Sequence, residues 1–248
     1  MTDTTFLLLQ LIAHLLADYT FQSQKWCDQK KKRVINHVHL LHTLIVFLCS
    51  WVLSFDWQFW IYALSIAIIH LAIDCLKSLW DQTNPEPKAD SILVRAGFFI
   101  DQIFHIFTFL GFTCLYLNKA NPAPMIAFEE RTIALFAAFL ISTKPANILI
   151  QNLFAAFEIP IADSEKKNEA ELQNAGKLIG IAERFLALTL ILHQQFAALG
   201  LIIAAKSILR FKSTMRNEYI LVGTLLSFGI ALLLGVTILN IWPNSMTQ

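Results

Sequence analysis

The stretch TFLLLQLIAHLLADYTFQ, residues 5–22, decides the fold class because it is apolar almost throughout and yet carries His14 and Asp18. Its length is close to the roughly 20 residues that an α-helix needs to cross the hydrocarbon core of a bilayer. The four-residue step places both ionisable side chains on one helix face. Such groups are costly inside a membrane and are rarely kept there without a partner or a task. The stretch therefore predicts a transmembrane helix that presents a polar site.

Ionisable residues recur inside the next three apolar segments. They are His37, His39 and His42 in the second segment, His70 and Asp74 in the third, and Asp101 and His105 in the fourth. The last two pairs repeat the four-residue step, and His39 and His42 share a helix face at a step of three. His37 is the first of these histidines to set aside, because its position suits the membrane interface.

The composition of the whole chain agrees with several membrane-spanning helices. Of its 248 residues 56% are hydrophobic and only 15% are charged, whereas a soluble domain usually has about 25% charged residues. The mean hydropathy is +0.56. A formal net charge of +1 gives no bulk basic character, which argues against a nucleic-acid partner. The four cysteines lie far apart with no CxxC spacing, so a thiolate metal site is disfavoured.

Eight apolar segments can be drawn, and they predict an all-α transmembrane bundle. They cover about 5–22, 34–55, 58–80, 93–117, 130–150, 175–193, 195–211 and 218–241. The seventh is short and rich in small residues, so it is partial or re-entrant in one interpretation. We divide the chain into a His/Asp-rich half, 1–120, and a C-terminal half, 121–248, within one membrane domain. The charged stretch 158–174 is predicted to be a cytoplasmic loop.

The positive charges between segments predict the orientation. The run from Lys25 to Arg33 marks the cytoplasmic side under the positive-inside rule. With that run inside, the N-terminus lies outside, and eight crossings return the C-terminus to the outside. In this arrangement fifteen Lys and Arg residues fall in inner stretches, against two, Lys119 and Arg131, in outer ones.

This topology predicts that the polar residues of the first four segments lie at one depth. At a rise of 1.5 Å per residue, all of them fall within roughly 5–20 Å of the cytoplasmic boundary. Random placement would scatter them over both halves of the membrane. The shared depth therefore predicts a common site, to which Gln22 and Gln102 add hydrogen bonds that hold the ligands.

Imidazole and carboxylate groups together suit zinc, manganese or iron. The predicted metal ligands are His14, Asp18, His39, His42, His70, Asp74, Asp101 and His105. Eight ligands would suffice for a two-metal centre that activates water. Asp18, Asp74 and Asp101 are the candidates for a general base. The same residues would also serve as a proton relay, and a single pair of this kind is more often a bond between helices.

A second and weaker signal lies in the C-terminal half. Gly176 and Gly180 form a GxxxG step that favours close helix packing, and it leads into Glu183 and Arg184. An internal ion pair is the plainer interpretation of these charges. In the alternative, Arg184 and Lys206 bind an anionic substrate head group, with Glu183 in support. Anionic lipid at the inner leaflet would by itself explain Lys206.

The motif His14-Leu-Leu-Ala-Asp18-Tyr-Thr-Phe-Gln22, the histidine-rich second segment and His70-Leu-Ala-Ile-Asp74 resemble a bacterial membrane family known as domain of unknown function 3307. The resemblance covers about residues 5–120, and stretches from Gly176 onward look like the C-terminal half of longer members. It implies a multi-pass protein of the bacterial inner membrane. The His/Asp pairs are also distantly similar to inner-membrane proteins described as metal-dependent hydrolases, which implies an enzyme.

Three functions remain open at this point. The first is a metal-dependent hydrolase that acts on a lipid-linked or amphipathic substrate from within the lipid bilayer. The second is a proton- or ion-coupled transporter that uses the same cluster. The third is a membrane scaffold or regulatory partner whose polar cluster holds the helices together. The sequence predicts no oligomeric state.

Overall fold

The computed structural model describes residues 2–83, 92–119, 128–157, 169–210 and 217–242. All regular structure in these ranges is helical, as the sequence predicts. In chain order the elements are α1 (Asp3–Leu15), a π-helical segment (Leu16–Phe21), α2 (Gln24–Lys32), α3 (His37–Ser54), a 3-10 turn (Trp57–Phe59), α4 (Trp60–Thr83), α5 (Ile92–Lys119), α6 (Glu130–Ile141), α7 (Lys144–Ala156), α8 (Glu169–Leu192), α9 (Phe196–Arg210) and α10 (Asn217–Ile241).

The chain forms two compact units, Met1–Ala137 and Ala138–Gln248. The boundary drawn from the sequence at 120/121 lies outside the described residues. Of the predicted loop at 158–174, residues 158–168 also lie outside them, and 169–174 belong to α8. This end of the stretch is therefore helical, which agrees with a loop that includes one or two helical turns, and its cytoplasmic position remains a prediction.

Five helical stretches of the described chain are long and apolar enough to cross a membrane. They are Asp3–Phe21, His37–Ser54, Trp57–Thr83, Ala96–Lys119 and Leu221–Ile241. Each falls on a predicted segment. The apolar part of α9, Phe196–Ile208, is short, in line with the expectation for the seventh segment. Eight crossings and the position of the termini remain predictions.

The fifth predicted segment is a broken helix. α6 ends at Ile141 and α7 begins at Lys144, and their axes bend by 47°; counted as one, they give a sixth span. Pro145 lies in the first turn of α7, where its missing N–H costs nothing, and it disfavours helix in the residue before it. The sequence therefore held a signal for the break that hydropathy alone does not show.

Helix α3 is apolar outside and polar inside. Its exposed face carries Leu40, Leu44 and Leu48, while His39 and His42 are fully buried. A soluble protein normally places its charged and polar groups on the surface and avoids large exposed apolar patches. The inverted arrangement is compatible with a helix whose outer face meets lipid.

Aromatic packing holds the first unit together at the end away from its histidines. Phe6 of α1 meets Phe59 at 5.0 Å between ring centroids, and Phe59 meets Tyr116 of α5 at the same distance. The Tyr116 hydroxyl donates to Asp56 at 2.6 Å. One turn along α1 from this core, Gln10 and Ser50 of α3 exchange hydrogen bonds. These contacts fix the registers of α1, α3 and α5 against each other.

In the second unit α8 and α10 approach closely at Gly235. A Cβ built on this glycine would lie 2.6 Å from Ile191 Cγ2, so no larger residue fits without movement. Ile191, Phe228 and Ala231 form the buried core of the unit together with Leu199 of α9. Small residues that let helices meet in this way are typical of membrane bundles.

A candidate metal centre in the first unit

Polar side chains of α1 and of the π-helical segment that follows it contact three other helices, α3, α4 and α5. His14 stacks on His105 of α5 with ring centroids 5.8 Å apart. One turn later the chain becomes π-helical over Leu16–Phe21, a distortion that is often found at functional sites. Asp18 lies in this segment, with Oδ2 at 3.8 Å from His14 Nδ1. The sequence predicted the pair but not the change of helix type.

Four ligand atoms from three elements, the π-helical segment, α3 and α4, lie close together. His42 Nε2 of α3 and His70 Nε2 of α4 are 3.0 Å apart. Asp18 Oδ1 lies 3.4 Å from the first and 3.5 Å from the second of these nitrogens. Asp74 Oδ2 lies 3.9 Å from His42 Nε2 and 3.7 Å from His70 Nε2. These four residues define what we call the primary site.

The spacing and the lone pairs of the primary site suit a tetrahedral cation. Ligand atoms at 2.0–2.2 Å from zinc lie roughly 3.3–3.5 Å from one another in a tetrahedron. The centre contains two carboxylate oxygens and two imidazole nitrogens. The two nitrogens are 3.0 Å apart, so at least one of them is unprotonated and presents a lone pair. Asp18 Oδ1 has no hydrogen-bond donor within the described residues. His42 Nδ1 also lacks a partner there, although metal-binding imidazoles usually donate through their second nitrogen.

A second group of polar residues lies beside the primary site on α5. Asp101 Oδ2 accepts from Lys77 Nζ at 2.8 Å and from Gln102 Nε2 at 3.1 Å. Gln102 accepts in turn from the Tyr19 hydroxyl at 2.8 Å. The His105 and His70 rings are 3.9 Å apart between centroids. Gln102 thus contacts Asp101, and its role in supporting a metal ligand stays a prediction.

Two lysines contact the aspartates, and the sequence analysis missed both in this role. Lys30 of α2 is buried and places Nζ 2.5 Å from Asp74 Oδ2, while Lys77 binds Asp101. The positive-inside rule counts both lysines only among the inner cations, and Lys30 belongs to a charged run of the kind that normally lies in water. The prediction of a loop at Lys25–Arg33 did not include α2, which brings Lys30 against α4.

Three other residues discussed from the sequence lie outside the primary site. His39 is buried, but its Nδ1–H donates to Asn36 Oδ1 at 3.0 Å and its Nε2 accepts from Ser78 at 3.1 Å. Both ring nitrogens are therefore occupied, and a role for His39 as a ligand stays a prediction that this geometry does not favour. His37 is exposed at the start of α3, as expected for an interface residue. Gln22 ends the π-helical segment and makes no hydrogen bond to the described site residues.

A small cavity of about 20 Å³ adjoins the histidines, which is space for roughly one water molecule. Its walls include His14, His70, His105 and the Gln10–Ser50 pair. Two of these histidines contact Asp18. Space for water therefore exists beside residues that contact the primary site.

In the second unit Arg184 is bound entirely by neutral groups of the described chain. It is 1% exposed. Its guanidinium donates to the Ser142 carbonyl at 2.8 Å, the Thr143 carbonyl at 3.3 Å, Asn147 Oδ1 at 2.7 Å and Ser227 Oγ at 3.0 Å. The first two carbonyls lie at the break between α6 and α7. Glu183 pairs instead with Lys206, so the ion pair predicted for Arg184 does not form within the described chain, and the pair that does form was not predicted.

Comparison with known proteins gives a family and no activity. The family described as "Protein of unknown function (DUF3307)" matches residues 6–135, just over half of the chain. The chain belongs to this family. The match covers every residue of the primary site and the Asp101–His105 pair, and it confirms the resemblance seen in the sequence. No curated protein and no solved structure matches the chain, so the distant similarity to metal-dependent hydrolases finds no support there.

Proposed function

We propose that the chain is an integral protein of the bacterial inner membrane whose first unit binds a divalent metal ion and hydrolyses an amphipathic substrate. The membrane assignment is supported by the five long apolar helices and by the inverted polarity of α3. Both termini would lie outside, because the lysine-rich α2 and its neighbours then face the cytoplasm.

The observation that carries the proposal is the convergence of lone pairs at the primary site. Two carboxylates and two imidazoles meet at one buried centre, where Asp18 Oδ1 makes no close hydrogen bond in the described chain and lies 3.4 and 3.5 Å from the His42 and His70 nitrogens. A buried acceptor without a partner is costly, about 1–3 kcal/mol or more for a charged group. A divalent cation at this centre would serve all four groups at once. Zinc, manganese and iron all accept this ligand set.

Hydrolysis is the reaction class that this site would support best. A divalent metal in such a site makes a water molecule nucleophilic at neutral pH. The cavity beside His14, His70 and His105 has room for that water. Asp18, Asp74 and Asp101 remain the candidates to accept its proton, since each lies in or beside the cluster. The substrate would be a lipid-linked or amphipathic ester, phosphoester or amide.

A substrate role for Arg184 and Lys206 remains part of the proposal but has weaker support. Arg184 is buried with four neutral acceptors, and Lys206 contacts Glu183 and the face of Phe228. Substrate binding by either residue would require these contacts to open.

Activity should be tested on the full chain in detergent with lipid-linked and soluble chromogenic esters and phosphoesters. We expect metal-dependent release of product that a chelator abolishes and added metal restores. Asp74→Asn should remove the activity, whereas His37→Ala, which alters an exposed histidine of the same unit, should keep it. Turnover that persists in Asp74→Asn would contradict the proposal.

A transporter is the second candidate because the polar residues form a continuous series of contacts. The series runs from His14 through Asp18 and His70 to Asp74 and Lys30, and such chains carry protons in membrane proteins. Flux in liposomes without product formation would favour this candidate. If Asp74→Asn lowered only stability, and neither flux nor turnover occurred, the cluster would be the structural centre of a scaffold.

A further inference from the structure

A second set of buried ligand atoms lies beside the primary site. Asp74, Asp101 and His105 each offer one ligand atom, and these atoms lie within 4.8 Å of one another. Asp101 and His105 stand one turn apart on α5, and Asp74 comes from α4. Asp74 also belongs to the primary site, so its carboxylate lies between the two sets of ligands.

The α5 pair of this second set has lone pairs without donors. Asp101 Oδ1 and His105 Nε2 are both buried and have no hydrogen-bond partner within the described ranges. His105 Nδ1 is 2.9 Å from the Asp101 carbonyl oxygen. Because a carbonyl only accepts, Nδ1 carries the proton and Nε2 presents its lone pair. A backbone carbonyl on the far nitrogen is the usual way in which proteins orient a metal-binding imidazole.

The two lysines differ in how readily each could leave its aspartate. The Lys30 side chain is 8% exposed where it meets Asp74, while the Lys77 side chain is 34% exposed where it meets Asp101. The Lys77 side chain is therefore the less enclosed of the two, so less of the surrounding structure has to move before it leaves Asp101. Lys30 cannot leave without first moving α2.

We propose that Asp101 and His105, with Asp74 shared, bind a second divalent cation that competes with the Lys77 ammonium for Asp101. This inference rests on the proposed function, because the primary site supplies the first ion. A carboxylate shared between two ions about 3.5–4 Å apart is common in hydrolases of phosphate esters. The primary site and the second site together would make the centre dinuclear.

The dinuclear centre selects a substrate class. Three aspartates and Lys30 leave two negative charges, so two divalent ions give the centre a net positive charge that favours an anion. The substrate is accordingly a phosphoester on an amphipathic carrier. The water oxygen bonds to phosphorus as the bond from phosphorus to the ester oxygen breaks. The leaving alkoxide takes the proton that the water loses.

Manganese binding to the full chain in detergent tests this inference. After chelator treatment, Mn²⁺ should bind at two ions per chain by equilibrium dialysis, and electron paramagnetic resonance should show a spin-coupled pair. Asp101→Asn should leave one uncoupled ion. Lys77→Met should raise the Mn²⁺ affinity of the weaker site by about tenfold, because it removes a competing charge. Lys31→Met, at an exposed position of α2, should change the affinity of neither site.

The outcomes separate this inference from the function on which it rests. One ion in the unaltered chain and one in Asp101→Asn would overturn the second site and leave the primary site standing. No ion in either would overturn both. Two ions with an unchanged affinity in Lys77→Met would overturn the competition with Lys77. His105→Ala provides a second variant, with the same expected loss of one ion, in case Asp101→Asn does not fold.

Discussion

The two units differ in how completely their buried charged groups are hydrogen-bonded. In the second unit Arg184 donates to four neutral acceptors that surround it. In the first unit Asp18, Asp101 and His105 keep buried acceptor atoms without a donor in the described chain. A polar group that is fully bonded needs no ligand to explain it, whereas converging acceptors without donors call for a water molecule or a cation. Burial of charge is therefore a poor sign of function unless the hydrogen bonds are counted.

Loss of the Arg184 side chain should give the largest change in stability. Arg184→Met removes the guanidinium donor from the Ser142 carbonyl and leaves the Thr143 carbonyl with only the Asn147 N–H at 3.5 Å. Each orphaned buried group costs about 1–3 kcal/mol. We expect the free energy of unfolding in detergent to fall by about 3 kcal/mol or more. Metal content should not change. A variant that stays equally stable would show that the break does not depend on Arg184, and Lys177→Met on exposed α8 is the control.

Metal should stabilise the first unit, and this effect should depend on Asp18. Zinc at about 100 times its dissociation constant should add about 2.7 kcal/mol to the free energy of unfolding. Asp18→Asn removes a ligand charge and should abolish most of that gain, while His37→Ala should retain it. Thermal unfolding with and without zinc measures both. Equal stabilisation of the two variants by zinc would show that Asp18 is not a ligand of the ion.

The two glycines of the GxxxG step should respond oppositely to alanine. A Cβ on Gly180 would meet Arg184 Nη1 at 3.3 Å and Asn147 Oδ1 at 3.7 Å, while nothing lies within 4 Å of Gly176. Gly180→Ala should destabilise by about 1–2 kcal/mol through crowding. Gly176→Ala should stabilise by up to about 1 kcal/mol through helix propensity. Denaturant titration of both variants measures the difference, and the same sign in both would contradict the packing around Arg184.

His39 should behave as a structural residue in the first unit. His39→Ala breaks its bonds to Asn36 and Ser78 and should cost about 1 kcal/mol of stability. The metal content should remain that of the unaltered chain, because neither ring nitrogen is free to bind an ion. Elemental analysis of purified His39→Ala decides this, and loss of metal would restore His39 to the ligands predicted from the sequence.

Sequence spacing predicted much of the cluster because helix geometry is local. The steps from His14 to Asp18 and from His70 to Asp74 put each pair on one helix face. Lys30 was missed because its burial depends on how α2 packs on α4, and a charged run carries no sign of that contact. The π-helical turn at Asp18 was missed for a similar reason, since no residue type marks it.

The second unit was less predictable because its key partners belong to the backbone. A helix break frees carbonyls from their intrahelical donors, but hydropathy alone predicts one continuous segment across Ser142 and Thr143. Pro145 marked the break, but it did not indicate that Arg184 would fill it. The ion pair between Glu183 and Lys206 was not predicted, although its two charges lie in neighbouring segments.

The most direct measurement is the metal content of the full chain, purified in detergent without a metal-affinity step and analysed by elemental mass spectrometry. We predict at least one divalent ion per chain, lost in Asp74→Asn and kept in His37→Ala. A folded chain that holds no ion above background, and takes up none when zinc, manganese or iron is added, would contradict the metal centre.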